Sequence, residues 1–206
     1  MKQSAFNPEH QNNDLPSKIV AGLERISEVF KFLLWEKAKV IGLSPIQMQI
    51  IIFVAFHKDD LCNVSHLANE FNITKPTISD ALKVLEKKNL IIKDISSKDS
   101  RSYTIKLTDK GHEVLSKIYN FSAPLRDEVN ALTSIELESL YAAISHLIIQ
   151  LHQNEILKIQ RTCFTCRFYE KNDNSEYCNL LQQNLKRRDI RLDCPEHEER
   201  TNQAVL

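Results

Sequence analysis

The sequence predicts a mainly α-helical chain with one small β-hairpin near its middle and a small cysteine-rich module at its end. Three observations carry this. Only three glycines occur in 206 residues, at 22, 42 and 111, a scarcity that suits long helices and not an all-β fold. Apolar side chains recur every three or four residues through most of the chain, whereas Tyr103, Ile105 and Leu107 alternate with Thr104 and Lys106. Four of the five cysteines fall between positions 163 and 194.

Residues 1–16 form a polar, Asn/Gln-rich leader, expected to be flexible and without the apolar core of a secretory signal. From 17 to 41 the spacing of Ile19, Leu23, Ile26, Phe30, Leu33 and Leu34 predicts a long amphipathic helix that Gly42 stops. Ser44-Pro45-Ile46-Gln47 reads as a capping box that opens a second helix reaching about His57. Asn63 caps a short helix, 64–71. Asn72-Ile73-Thr74 makes a tight turn, and a capped helix follows from Lys75 to about Asn89, burying Ile78, Leu82 and Leu85. Two helices joined by such a turn, over 63–89, are a helix-turn-helix. The segment 90–107 then pairs Leu90–Ile95 with the alternating strand through a polar loop, a hairpin that makes the unit a winged helix.

Thr108 caps a fifth helix that Pro124 must kink or break. A sixth, from Ser134 to about Ile159, carries Leu147, Ile148 and Ile149 in succession, more apolar surface than one core stripe requires. A boundary near Gln160 separates residues 17–160 from the cysteine-rich segment 161–206. The fold class is thus a winged helix-turn-helix flanked by long helices, with a small C-terminal module.

With 27 basic and 27 acidic residues the net charge is zero, so charge alone gives no sign of a nucleic-acid partner. The pattern does. Recognition helices of this kind lie in the major groove with their first turns against base edges, and the face opposite the buried stripe presents Pro76, Asp80, Lys83 and Lys87, flanked by Thr77 and Ser79, with Lys75 a further candidate at the helix start. Lys83 and the hydroxyls suit phosphate or base contacts. Asp80 repels phosphate but can accept from a cytosine amino group. An ordinary solvated face is the bland alternative.

From Leu43 to Gly111 the chain resembles the MarR family of transcriptional regulators. The matching residues are Leu82, Leu85-Glu86-Lys87-Lys88-Asn89-Leu90-Ile91, Lys98-Asp99-Ser100-Arg101 and Leu107-Thr108-Asp109-Lys110-Gly111. The resemblance implies that Asp99 holds Arg101 at the wing tip and that Arg101 enters the minor groove, with Lys98 beside it. Physics agrees, because a narrow minor groove attracts Arg. It also implies a homodimer built from the first and last helices and bound to duplex DNA. A small-molecule effector, where the family has one, sits between the dimer helices and the DNA-reading lobe, and no residue here identifies it. Three positions depart from the pattern. Asn89 replaces a usual glycine, Ser102 a common second arginine, and Asp80 a frequent basic residue.

Cys163, Cys166, Cys178 and Cys194 are separated by 2, 11 and 15 residues. Four cysteines in a short segment that offers a meagre apolar core predict one metal centre, because so small a segment rarely folds without a staple. A structural metal site contributes on the order of 10 kcal/mol. Zinc on four thiolates is the first choice. A [4Fe-4S] cluster stays open beside it, since the spacing and Cys194-Pro195 resemble small iron–sulfur modules. His197 is a spare ligand candidate, expected to be solvated. Cys62 is expected in the core, His57, His66 and His112 at the surface or in caps, and Trp35 in dimer or core packing. The rivals are a thiol–disulfide enzyme using Cys163 and Cys166, and a winged helix that contacts only protein. No βαβ pattern surrounds the CxxC, and no Walker, GxSxG or HExxH motif occurs, so no enzyme is expected. The longest apolar run, Ile50–Phe56, is too short to span a bilayer, and the expected compartment is the cytoplasm, where thiols stay reduced.

Overall fold

Gly42 ends the first long helix at a φ of 72°, a left-handed turn that suits a residue without Cβ. It is one of several capped breaks that cut the chain into short lengths around one core. A computed structural model describes residues 4–95, 103–172 and 175–200. Within the expected leader lies one helical turn, α1 (Pro8–Gln11), capped by Asn7. Helix α2 (Leu15–Ile41) follows, and α3 (Pro45–Phe56) leaves it at a bend of 92°. The predicted capping box is formed in both directions. Ser44 Oγ accepts from the Gln47 N–H at 3.4 Å, and Gln47 Oε1 accepts from the Ser44 N–H at 3.0 Å.

Helix α3 is the centre of the core, with Met48, Ile50 and Ile51 fully buried. Around it stand α4 (Val64–Glu70), α5 (Lys75–Lys87), the hairpin β1 (Ile91–Asp94) and β2 (Thr104–Leu107), and α6 (Asp109–Ile118). Asn63 and Thr74 cap α4 and α5 as expected, accepting from His66 and Thr77 at 2.9 and 3.3 Å. Asn72 and Asn89 adopt φ of 51° and 58°, the left-handed turns that open and close the recognition helix. The strands pair antiparallel with Ile91 opposite Leu107 and Asp94 opposite Thr104. The Ile105 N–H donates to the Cys62 carbonyl at 2.8 Å, which ties the wing to the segment before α4. Cys62 is fully buried.

The fifth predicted helix is two helices. Pro124 lies in the first turn of α7 (Ala123–Asn130), after a break that follows α6; there its missing N–H costs no hydrogen bond. Helix α8 (Ser134–Gln153) stops six residues short of the expected end. Glu155 turns left-handed at φ 60°, and His152 Nδ1 lies 2.9 Å from the Leu157 carbonyl. Its start carries a capping box, Thr133 with Glu136, that the sequence reading passed over.

The C-terminal segment contains a three-stranded antiparallel sheet: β3 (Tyr169–Asn172), β4 (Ser175–Cys178) and β5 (Gln183–Leu185). Its strands are three or four residues long, too short for alternation to show. No single helix among the described residues is long and apolar enough to cross a membrane; only α2 and α3 taken together, across their bend, reach that measure.

Candidate nucleic-acid interface and cysteine module

Helix α5 turns Ile78, Ala81, Leu82 and Leu85 into the core, which leaves Lys75, Pro76, Thr77, Asp80 and Lys83 exposed and Ser79 half-buried. These six predicted residues form one outward face. Lys83 Nζ sits 2.9 Å from Asp80 Oδ1, a pair the sequence reading did not foresee. A pair so exposed contributes little stability, but it partly neutralises the lysine best placed to meet phosphate. Lys98, Asp99 and Arg101, at the wing tip, lie outside the described residues. The wing base is held firmly. Thr108 Oγ1 donates to the Asn89 carbonyl at 2.8 Å and accepts from the Gly111 N–H at 3.0 Å, and Lys110 Nζ donates to the Lys88 carbonyl at 3.0 Å.

Both long flanking helices carry apolar side chains that this chain leaves in solvent. On α2 these are Ile19, Leu23, Ile26 and Trp35, the last 58% exposed; on α8 they include Leu147 and Leu151. Of the six residues expected to pack α2, only Leu34 is buried. Trp35 is therefore not a core residue of the single chain.

The four clustered cysteines come from separate places. Cys163 and Cys166 bound a 3-10 turn, with the Cys166 N–H donating to the Cys163 carbonyl at 3.0 Å. Cys178 ends β4 opposite Tyr169, and the Cys194 N–H donates to the Arg161 carbonyl at 2.9 Å. All four line one cavity and are unbridged. Burial pushes the Cys163 thiol up, and the Arg191 N–H, 3.2 Å from its sulfur, opposes that shift. Among the described residues, however, no three His, Cys, Asp or Glu side chains converge closely enough to hold one metal ion. His197, expected to be solvated, donates its backbone N–H to the Cys194 carbonyl at 3.1 Å. It is half-buried with Nε2 2.9 Å from Thr165 Oγ1.

Sequence reasoning missed the junction between this module and the winged helix. Arg161 reaches Glu70 of α4 through Nη1 and Nη2 at 2.8 and 3.1 Å, and Asp193 through Nε and Nη2 at 2.7 and 3.2 Å. Its guanidinium also lies 5.5 Å from the Phe53 ring centre. Burial disfavours the charge on Arg161, but the hydrogen bonds to Glu70 and Asp193 outweigh it and hold its pKa above the usual value. His57 stacks on Phe53 and places Nε2 2.9 Å from Asp193, and His66 lies beside Glu70. His57 and His66 are thus junction residues, while His112 is exposed as expected. Lys58 pairs with Glu196, and Tyr141 of α8 donates to the Ile190 carbonyl. Local sequence gave no signal for the contacts that cross the junction, because their partners are 32 to 138 residues apart.

Residues 41–102 match the model of the MarR family, a family of DNA-binding regulators and not of enzymes. The transcriptional regulator SarZ of Staphylococcus epidermidis is 26% identical over 98 residues, which are 48% of this chain and 66% of that protein. SarZ of Staphylococcus aureus is 29% identical over 80 residues, 39% and 54% of the two chains. The chain thus matches less than two thirds of these curated relatives' length. Among solved structures, the S. aureus MepR–DNA complex is similar with a TM-score of 0.54 and 24% identity, covering 63% of this chain and 94% of MepR. A MarR regulator from Methanosarcina mazei gives a TM-score of 0.54 at 16% identity, covering 67% and 97%. The match in sequence, the capped helix-turn-helix and the shared fold agree: residues 41–102 match the MarR family model and fold as a winged helix.

Proposed function

We propose that this protein is a cytoplasmic, sequence-specific transcriptional regulator that binds duplex DNA as a homodimer and is tuned by a metal centre at its four cysteines. The observation that carries the reading is the outward face of α5, with both its ends capped and a hairpin wing fixed beside it through Thr108 and Lys110. That arrangement can set a helix into the major groove while the wing follows the adjacent backbone. Support for a second copy comes from α2 and α8. Side chains such as Leu23, Trp35 and Leu147 would each gain from burial of their remaining exposed apolar surface, and a partner's equivalent helices would cover them. A dimer also gives two recognition helices the spacing of a pseudo-palindrome, with half-sites about one helical turn apart.

Selection of duplexes from random-sequence DNA should return such a pseudo-palindrome, bound with an affinity that falls steeply with salt. Leu147→Glu should yield monomers in sedimentation and weaken binding, because the interface would bury an unpaired charge. Indifference to duplex DNA at low salt refutes the regulator. A wild-type chain that stays monomeric at micromolar concentration refutes the dimer.

A further inference from the structure

His57 ends α3 as its C-cap, stacked on Phe53 with ring centres 3.8 Å apart. Both of its ring nitrogens face acceptors. Nδ1 lies 2.8 Å from the Phe53 carbonyl, and Nε2 lies 2.9 Å from Asp193 Oδ2. A carbonyl cannot donate. Asp193 cannot donate while ionised, and Arg161 helps keep it so by donating to it through Nε and Nη2 at 2.7 and 3.2 Å. A neutral imidazole carries a single N–H, so only the imidazolium satisfies both contacts. The C-terminal end of a helix, where unpaired carbonyls carry partial negative charge, favours that cation.

The neighbouring charges fit the same assignment. Arg161 and the His57 imidazolium stand against Glu70 and Asp193, two charges of each sign. His66, on α4, places Nε2 3.4 Å from Arg161 Nη1. Burial, Arg161 and His57 outweigh the Glu70 and Asp60 charges and hold the His66 pKa below 6.5, so this ring stays neutral and accepts. Lys58 is taken by Glu196, and Glu198 by Arg167. The partners of the His57 ring among the described residues are Phe53, Asp193 and, at 3.4 Å, Arg161. Asp60, His152, Lys158, His197 and Glu199 line the same cavity and act on the ring only from a distance.

We propose that His57 is a proton-operated latch: as the imidazolium it ties the Asp193 loop of the cysteine module to the end of α3, and as the neutral ring it lets go. When the proton leaves to solvent, the Nδ1 N–H stays on the Phe53 carbonyl and the Nε2 lone pair faces the Asp193 carboxylate, a repulsive contact. Burial disfavours the charged ring. The hydrogen bonds to Asp193 and Phe53, with the Asp193 charge, outweigh both burial and Arg161 and hold the pKa above 6.5. The contribution of the latch is therefore complete below pH 6.5 and lost as pH rises through that raised value. Each unit by which the value exceeds 6.5 weakens docking of the module about tenfold between the two limits. The latch concerns how the module is held, and it requires neither DNA binding nor a metal centre.

The test is a pH titration of the full chain, read by NMR of the histidine rings and by amide exchange corrected for intrinsic rates. The His57 ring, recognised by its contacts with Phe53 and Asp193, should titrate above 6.5 with both nitrogens protonated on the acid side. Asp193→Asn should lower that value. Protection of the amides in 161–200 should fall as pH passes the His57 titration, while α5 keeps its own. In His57→Gln, which has no ring proton to lose, protection should stay level over the same range. A wild-type His57 that titrates at or below 6.5 overturns the latch without any variant. Protection in 161–200 that ignores the His57 titration, or that falls equally in His57→Gln, overturns it as well.

Discussion

Arg161 and Glu70 meet side by side, the guanidinium of one donating to both carboxylate oxygens of the other at 2.8 and 3.1 Å across 91 residues of chain. Their side chains are only 11% and 20% exposed. An ion pair of this bidentate kind fixes orientation as well as distance. It joins the cysteine module to the first helix of the helix-turn-helix, so the two parts of the chain are mechanically connected and not merely consecutive.

Replacing Arg161 by Ala leaves Glu70 and Asp193 half-buried without their shared cation. The cost should be about 2 kcal/mol, below that of breaking a fully buried pair because water still reaches Asp193. Hydrogen exchange is the measurement: protection should fall across 161–200 while α3 and α5 keep theirs. Unchanged exchange in the module would show that the clamp does not hold it.

The Asp80–Lys83 pair makes a prediction about DNA. Asp80→Ala removes a repulsive carboxylate and releases Lys83, so binding to non-specific duplex at low salt should tighten. Lys83→Ala should weaken it and lower the salt slope by roughly one. Fluorescence anisotropy over a salt series reads both. Identical slopes for Lys83→Ala and the wild type would place this lysine away from phosphate.

Gly111 is required by packing. A Cβ there would stand 2.1 Å from the Leu90 carbonyl oxygen and 3.3 Å from Leu107 Cβ. Backbone cannot rotate away as a flexible side chain can, so Gly111→Ala should destabilise by about 2 kcal/mol or more. For a chain of this size that lowers Tm by about 4 °C or more. A melting curve that matches the wild type would show that α6 can slide off the wing base without cost.

The winged helix was legible because its signals are local. Ser44, Asn63, Thr74 and Thr108 each cap the helix that follows, and a cap is decided by a residue and its neighbours three positions on. Asn72 and Asn89 take the left-handed turns their side chains tolerate. The face of α5 followed from helical period alone. Pro124 announced a break, although only packing decided that it begins a new helix.

The cysteine module was legible only as a composition. Its strands are too short to display a period, and its cysteines reach one cavity from a turn, a strand end and a loop. Spacing in sequence suggested one shared centre, whereas the cavity they line depends on how β3, β4 and the loop at 191–194 pack. The histidines misled for a related reason. Nothing near His57 or His66 marks them as burial sites, since Asp193 and Arg161, which contact them, arrive from the far end of the chain.

By itself, then, the sequence determined where most helices start and stop, which face of α5 is buried, and that α8 carries more apolar surface than one core stripe requires. Those properties depend on residues a few positions apart, where propensity and capping energies of order 1 kcal/mol decide the outcome. Only the tertiary structure decided that Arg161 grips α4, that His57 and His66 lie at the junction, and that the four cysteines line one cavity. Each is a matter of distance and direction in space. Contacts between distant parts of the chain are set by the packing of the whole core, which no local pattern encodes.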